Sequence, residues 1–379
     1  MTAYMFPGQG SQFSGMGADY FDKYPELVEE ADEILGYSIK ALCTGQNDAR
    51  LDNTEFTQPA LYTVNALTYM ELMQTSDVQP EVLLGHSLGE YSALYASGAI
   101  SFGEGLELVR QRGLLMSNSP EGAMAAIIGA NEQEIEEILK RNELTQIDIA
   151  NYNCRTQIVI SGPVEQIKAS EAHLSECANF IPLRTSGAFH SRQMLKASRL
   201  FSDVLLSCEF KDCKIPVIAN VTGRPYESGR VAELLGQQVA SSVHWYHSIV
   251  YLLHSRINSL VEVGPGDVLS RMLSTIQREY KAGMFDDLIA TFELEQCASE
   301  VDSRGNEIGN ILSEIHPVNS ADLVQRWNMD ISVGDKVVRR SDGEMLRTRS
   351  EAILLFGSKP VVYLRGYKGY FDLSELEVV

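Results

Sequence analysis

Ser87 stands in Gly85-His86-Ser87-Leu88-Gly89, a G-x-S-x-G pattern between an apolar run and a helix-like one. A serine on a sharp strand-to-helix turn holds its hydroxyl at the helix N-terminus, where backbone N–H groups stabilise a developing oxyanion. The same pattern also fits a structural turn or helix cap, so it must be read with a base. A hydroxyl is a weak nucleophile near neutral pH. Of the seven histidines, His190 in "SGAFHSR" follows a predicted strand and precedes a predicted helix. Strand ends are where catalytic loops lie in α/β folds. His86 adjoins the serine and is expected to point away, while His173 falls on a polar helix face with Glu171, Ser175 and Glu176. His254 and His316 have no suggestive neighbours. The only aspartate between Ser87 and His190 is Asp148, within a predicted strand, and the glutamates that could serve as a third member fall mostly on helix faces, which favours a dyad over a triad. A Ser87–His190 dyad is therefore expected, with a backbone carbonyl orienting the imidazole. A thioester, with its good leaving group, asks less of the missing carboxylate than the substrates of triad enzymes do. Arg112 offers a planar guanidinium that grips a carboxylate in two-pronged fashion, which Lys cannot do. Taken alone, it fits a solvated helix arginine as well.

The elements that must position these residues alternate between strand and helix. Ala3–Phe6 reads as a strand leading into the Gly-rich loop Pro7–Gln12. Helices follow over about 18–35 and 59–73, then the strand Glu81–Leu84, the elbow, and a helix over Phe102–Met116. This rhythm predicts an α/β fold with a mainly parallel, hydrolase-like sheet. From about Ala123 the order becomes βαββαβ, which predicts an inserted ferredoxin-like subdomain over 123–187. Residues 1–122 and 188–280 then form the large subdomain, 281–329 a linker, and 330–379 a small β-barrel (SH3-like) module.

At 379 residues the chain exceeds one typical domain. A net charge of −20 argues against non-specific nucleic-acid or anionic-membrane binding. No apolar run reaches membrane-spanning length, and the N-terminus lacks the charged and apolar regions of a secretory signal. A cytoplasmic monomer is expected. The six cysteines show no CxxC spacing, so reduced thiols and no metal are expected.

Several motifs then agree in order: "FPGQGSQ" (6–12), "TQPAL" (57–61), "GHSLGEYSAL" (85–94), "VRQRGLLM" (109–116), "GAMAAIIG" (122–129), "GAFHS" (187–191), "NVTG" (220–223) and "VEVGPGDVL" (261–269). Over about residues 3–280 the chain resembles the malonyl-CoA:acyl-carrier-protein transacylase family. "SGAFHSRQM" is most similar to trans-acting acyltransferases of polyketide synthases. The resemblance implies acylation of Ser87 through His190, and an oxyanion hole from the backbone N–H groups of Gln9 and Leu88. It implies that Arg112 grips the free carboxylate of malonate, and that Leu88 and Phe189 belong to malonyl-selective forms. The substrate would be malonyl-CoA, with no bound cofactor, and the partner an acyl carrier protein.

Where the family usually has Pro-Val-Arg/Gln-Trp, this chain has Ser242-Val243-His244-Trp245, which makes the His244 carbonyl a candidate to orient His190. Family members that edit stalled chains by hydrolysis tend to lack the arginine. An acyl hydrolase and a housekeeping fatty-acid transacylase remain the alternatives, with a non-enzymatic scaffold a remote third. Carrier proteins are acidic, so Arg192, Lys196 and Arg199 after the catalytic loop are candidates for docking. Tyr363, Tyr367, Tyr370 and Phe371 could form an aromatic docking surface or the core of the tail module.

Overall fold

The first strand, β1 (Thr2–Phe6), is apolar from Ala3 to Phe6 and buried on both faces, as a central parallel strand must be. The computed structural model describes residues 1–45, 48–292 and Trp327, then 335–339, 345–348, 352–355, 359–362, 364, 371–373 and 376–378. Its contacts form one unit over Met1–Leu294 and another over Glu295–Val379.

After β1 come α1 (Pro25–Leu35), α2 (Ile39–Thr44) and the long α3 (Thr54–Thr75), whose first half is buried all round. β2 (Val82–Gly85) then leads through the elbow into α4 (Gly89–Ser97), followed by α5 (Phe102–Ser117). A capping box between Ser101 and Glu104 starts α5, the helix that carries Arg112.

The next segment holds β3 (Ala123–Ile128), α6 (Glu132–Arg141), β4 (Asp148–Cys154), β5 (Gln157–Gly162), α7 (Val164–Leu174) and β6 (Asn179–Pro182). These strands form an antiparallel sheet in the order β4-β5-β3-β6. The chain leaves and re-enters the main body at neighbouring points, because Glu121 bridges Gly187.

The remaining elements of this unit are α8 (Leu195–Leu205), β7 (Val217–Ala219), β8 (Arg224–Pro225), α9 (Val231–Gln238), α10 (Trp245–His254), β9 (Ser259–Glu262) and α11 (Val268–Lys281). The main sheet has the order β8-β7-β2-β1-β9, parallel except for the β7–β8 edge. Two apolar cores flank it. One gathers α3, α4 and α5, and the other contains α10, α11 and the small sheet.

The expected linker starts too early. Phe285 and Phe292 are fully buried in the second core, so the chain beyond Lys281 still belongs to the first unit. Burial of two aromatic rings holds this stretch in the core, and the polar residues that suggest a connector lie farther on, near 297–309.

In the second unit, β10 (Lys336–Arg339), β11 (Met345–Arg347), β12 (Ile353–Leu355), β13 (Lys359–Val362), β14 (Phe371–Asp372) and β15 (Leu376–Val378) form two antiparallel sheets. Their orders are β11-β10-β15 and β12-β13-β14. Tyr363, Tyr367 and Tyr370 lie outside the described residues, as do 293–326 of the expected linker. Among the described residues, no helix is long and apolar enough to cross a membrane.

Candidate active site

The elbow is a steric necessity before it is a chemical one. A Cβ on Gly85 would lie 1.9 Å from the Gly89 carbonyl carbon, and one on Gly89 would lie 2.0 Å from the Phe6 oxygen. A Cβ on Gly8 would lie 2.3 Å from the His86 oxygen. Only hydrogen fits at these three places, so the Gly-rich loop after β1 and the turn after β2 are pressed together. Ser87 pays conformationally for the sharp turn, with φ at 52° in the left-handed region that side-chain-bearing residues avoid.

Asn220, just after β7, clamps the turn. Its side-chain oxygen accepts from the Ser87 N–H at 2.7 Å, and its amide nitrogen donates to the Gly85 carbonyl at 2.6 Å. His86 turns away, as expected, with Nε2 at 2.8 Å from Asn153 Oδ1.

His190 also has positive φ, 56°, and sits in the loop after β6. Asp148 anchors that loop from β4, accepting the Arg192 N–H at 2.8 Å and gripping its guanidinium. His190 Nε2 lies 2.7 Å from Ser87 Oγ. On the other side of the ring, Nδ1 faces the carbonyls of Gln238 (2.9 Å) and Ser241 (3.1 Å). Carbonyls only accept, so Nδ1 carries the proton and Nε2 is left with a lone pair toward the serine hydroxyl. Burial and then the Arg112 cation hold the imidazole down to about 3, so it is neutral and able to take a proton at neutral pH.

Secondary structure places both carbonyls. Gln238 ends α9, where the last carbonyls have no intrahelical partner. Ser241 is fixed because the next residues pair with β4: Ser242 Oγ donates to the Ile149 carbonyl at 2.6 Å and Val243 N–H to Ala150 at 2.8 Å.

His244 does not orient His190. It precedes α10, and its carbonyl accepts from the Ser248 N–H (3.1 Å) and hydroxyl (2.9 Å). Its own N–H goes to Asn220, and its ring stacks on Tyr152.

Arg112 is 1% exposed, which rules out the solvated helix arginine. One terminal nitrogen, Nη1, donates to Gln58 Oε1 at 2.7 Å. The other, Nη2, donates to Gln238 Oε1 at 2.9 Å and to Ser87 Oγ at 3.0 Å. Tyr91 presents its ring 5.6 Å from the guanidinium carbon. These partners are neutral, and Nε has no partner among the described residues. A buried cation whose direct partners are dipoles and a ring, with the Glu90 carboxylate acting on it only from beyond Gln238, is incompletely compensated, which favours an incoming carboxylate.

The other sequence candidates fall around this centre. Leu88 precedes the first turn of α4, and Gln9 lies in the Gly-rich loop, with its side-chain amide 3.1 Å from Thr54 Oγ1. Neither backbone N–H donates a hydrogen bond among the described residues. Phe189 is buried, its ring against Gly187. Arg192 is not available as a docking cation, because Asp148 neutralises it. Lys196 and Arg199 are exposed on α8 and form no ion pair among the described residues.

Sequence reasoning passed over Gln58, Glu90, Asn220 and Gln238. The first three lie inside quoted motifs, "TQPAL", "GHSLGEYSAL" and "NVTG", yet none is marked there as chemical. Gln238, in "GQQVASS", carries no signal at all.

The chain is similar to known acyltransferases. The model of the acyl transferase domain matches residues 3–291. The chain is 46% identical over 285 residues to the polyketide biosynthesis malonyl CoA-acyl carrier protein transacylase BaeC of Bacillus velezensis, covering 74% of this chain and 99% of that protein. A solved malonyl CoA-acyl carrier protein transacylase from Burkholderia pseudomallei is 48% identical, with TM-score 0.71 over 74% of this chain and 98% of its own. A malonyl-transacylase solved in complex with its type II polyketide synthase acyl-carrier protein is 32% identical, with TM-score 0.69 over 73% of this chain and 92% of its own. With an acyl transferase domain spanning residues 3–291, this chain belongs to the acyl transferase family.

Proposed function

We propose that this protein transfers a malonyl group from malonyl-CoA to the phosphopantetheine thiol of an acyl carrier protein, in trans to a polyketide synthase. The observation that carries this reading is that Ser87 Oγ lies within hydrogen-bond distance of both His190 Nε2 and Arg112 Nη2. Nucleophile, base and carboxylate anchor meet at one oxygen.

In the first half-reaction Ser87 Oγ attacks the thioester carbonyl while its proton passes to His190 Nε2. The oxyanion is received by the N–H groups of Gln9 and Leu88. The tetrahedral intermediate then expels the thiolate of coenzyme A, which takes the proton from the imidazolium. In the second half the carrier thiol gives its proton to Nε2, and its sulfur attacks the Ser87 ester. Ser87 leaves with that proton, and the enzyme is restored. Arg112 holds the malonyl carboxylate throughout, which keeps the ester oriented for the thiol.

We read the antiparallel sheet with α6 and α7 as the ferredoxin-like subdomain. Through Asp148 and the pairing of 242–243 it sets the His190 loop and the Ser241 carbonyl. Lys196 and Arg199 on α8, a few residues beyond His190, are the cations we assign to an acidic carrier protein.

Intact-protein mass after incubation with malonyl-CoA tests the reading. A persistent malonyl adduct that is absent in Ser87→Ala and discharged by holo carrier protein is expected. An adduct that decays without carrier protein would show hydrolysis instead, and no adduct on the folded protein would reject acyl transfer.

A further inference from the structure

Glu90 is a carboxylate in the first turn of α4 with no exposure to solvent, and none of the steps above uses it. A buried carboxylate needs compensation, and three donors surround this one. Its Oε2 accepts from Gln238 Nε2. Its Oε1 accepts from the Asn220 backbone N–H at 3.2 Å and from the Tyr226 hydroxyl.

Gln238 and Asn220, the two residues that donate N–H groups to it, are also the two that hold the site. Gln238 Oε1 receives Arg112, and its Nε2 also donates to the Ser87 carbonyl at 2.9 Å. The Asn220 side chain holds the Ser87 N–H. The usefulness of Gln238 depends on which way its amide points. Turned over, it would set an N–H donor against a guanidinium that has only donors. Burial pushes the Glu90 carboxyl up to about 7, while Tyr226, Gln238, Asn220 and the Arg112 cation all favour its ionised form. Ionised, it can only accept, so it requires the amide nitrogen on its own side and leaves the oxygen for Arg112.

We propose that Glu90 is a positioning residue for acyl-group selection, whose acceptor-only carboxylate fixes the Gln238 amide with its oxygen toward Arg112 and thereby holds the guanidinium at Ser87.

Substitution by glutamine separates this role from mere filling of space. In Glu90→Gln the side chain keeps its size but must aim one N–H₂ group at a donor. The Asn220 backbone N–H cannot rotate away, whereas the Gln238 side chain can. The new amide oxygen therefore stays on Asn220, its nitrogen faces Gln238, and Gln238 turns its own N–H toward Arg112.

The inference rests on malonyl transfer as proposed above, and the experiment keeps the two apart. Rates of Ser87 acylation by malonyl-CoA and by acetyl-CoA, which lacks the second carboxylate, are measured on the full chain and on Glu90→Gln and Glu90→Asp. A wild-type protein that takes acetyl-CoA as readily as malonyl-CoA would reject carboxylate selection itself, and this inference with it. With a selective wild type, Glu90→Gln is expected to lower the malonyl-to-acetyl ratio about tenfold or more, mainly through a higher KM for malonyl-CoA, as loss of one charge-assisted hydrogen bond would. Glu90→Asp, still acceptor-only, is expected to keep most of the ratio. Equal losses on both substrates in Glu90→Gln, with the ratio unchanged, would overturn the inference. Should Glu90→Gln not fold, Glu90→Asp decides alone: retained selectivity supports it, and a ratio as low as that of Arg112→Ala overturns it.

Discussion

Ser87 and His190 come from opposite ends of a 103-residue separation and meet at 2.7 Å, each with a positive φ, 52° and 56°. Such backbone strain costs on the order of 1–3 kcal/mol per residue and persists only where the surroundings over-determine it. Here the surroundings are the Asn220 clamp on the serine and the Asp148–Arg192 anchor beyond the histidine.

Ser87→Ala removes the acyl adduct altogether. His190→Ala leaves the serine in place without a base, and its acylation rate should fall by roughly 10²–10⁴, the usual contribution of general base catalysis. Time-resolved intact mass with malonyl-CoA checks both. A His190→Ala protein that acylates at the parental rate would show that the imidazole is not the base.

Arg112→Ala should cut acylation by malonyl-CoA by about 10²-fold while leaving acetyl-CoA acylation within a few-fold, since a paired charged hydrogen bond contributes about 1.5–3 kcal/mol. The ratio of kcat/KM for the two substrates reads this directly. Equal losses on both would place the arginine in structure rather than in substrate selection.

The pH profile follows from the imidazole. Held to about 3 by burial and by Arg112, His190 stays neutral well below its ordinary value of 6.5, so acylation should not lose its base as pH falls through 6.5. Removing the Arg112 cation removes a penalty on the protonated form, which raises the histidine pKa. The acid limb for acetyl-CoA should therefore move upward in Arg112→Ala. A wild-type acid limb centred near 6.5 would contradict this, as would an unshifted limb in the variant.

Gly85→Ala drives a methyl to 1.9 Å from the Gly89 carbonyl carbon, which forces the elbow open, and Gly89→Ala drives one to 2.0 Å from the Phe6 oxygen, which separates β1 from the elbow. A destabilisation of about 4 kcal/mol or more is expected, among the largest single-residue effects. Gly10→Ala is a useful control, because nothing lies within 4 Å of its Cβ and only the strain of φ at 105° opposes it. Thermal or denaturant unfolding ranks the three.

Reversing the charge of both Lys196 and Arg199 to glutamate should raise KM for carrier protein and weaken its salt dependence, with self-acylation by malonyl-CoA unchanged. Steady-state transfer at two salt concentrations, set beside the single-turnover acylation rate, checks it. An unaltered KM for carrier protein would exclude α8 as the docking face.

Much of the site was legible in the residues because short-range chemistry wrote it there. Gly85 and Gly89 are glycines because a Cβ would collide with backbone. Ser87 lies between them on the turn they permit, and the β-to-helix rhythm announced both elements. His190 stood out because it lies between a predicted strand and a predicted helix. Asp148, the only aspartate between Ser87 and His190, could be set aside as the third member from its place in a strand, but its real work, holding Arg192 and with it the His190 loop, needs β4 and that loop to be seen side by side. For the same reason Arg192 looked like a free cation and is not.

Local sequence determined the nucleophile turn, the candidate base, the alternating core and the order of strands in the inserted segment, because each depends on contacts within a few residues or on the period of burial. Only the tertiary structure decided who orients the histidine and who holds the arginine. Gln238 contributes a helix-terminal carbonyl to His190 and an amide oxygen to Arg112, which lie 48 and 126 residues away. Glu90 meets Asn220 and Gln238 across 130 and 148 residues. A polar group buried far from water must find its partner wherever the fold brings one, and in this protein the fold brings those partners from α4, α9 and the end of β7, which no spacing along the chain connects.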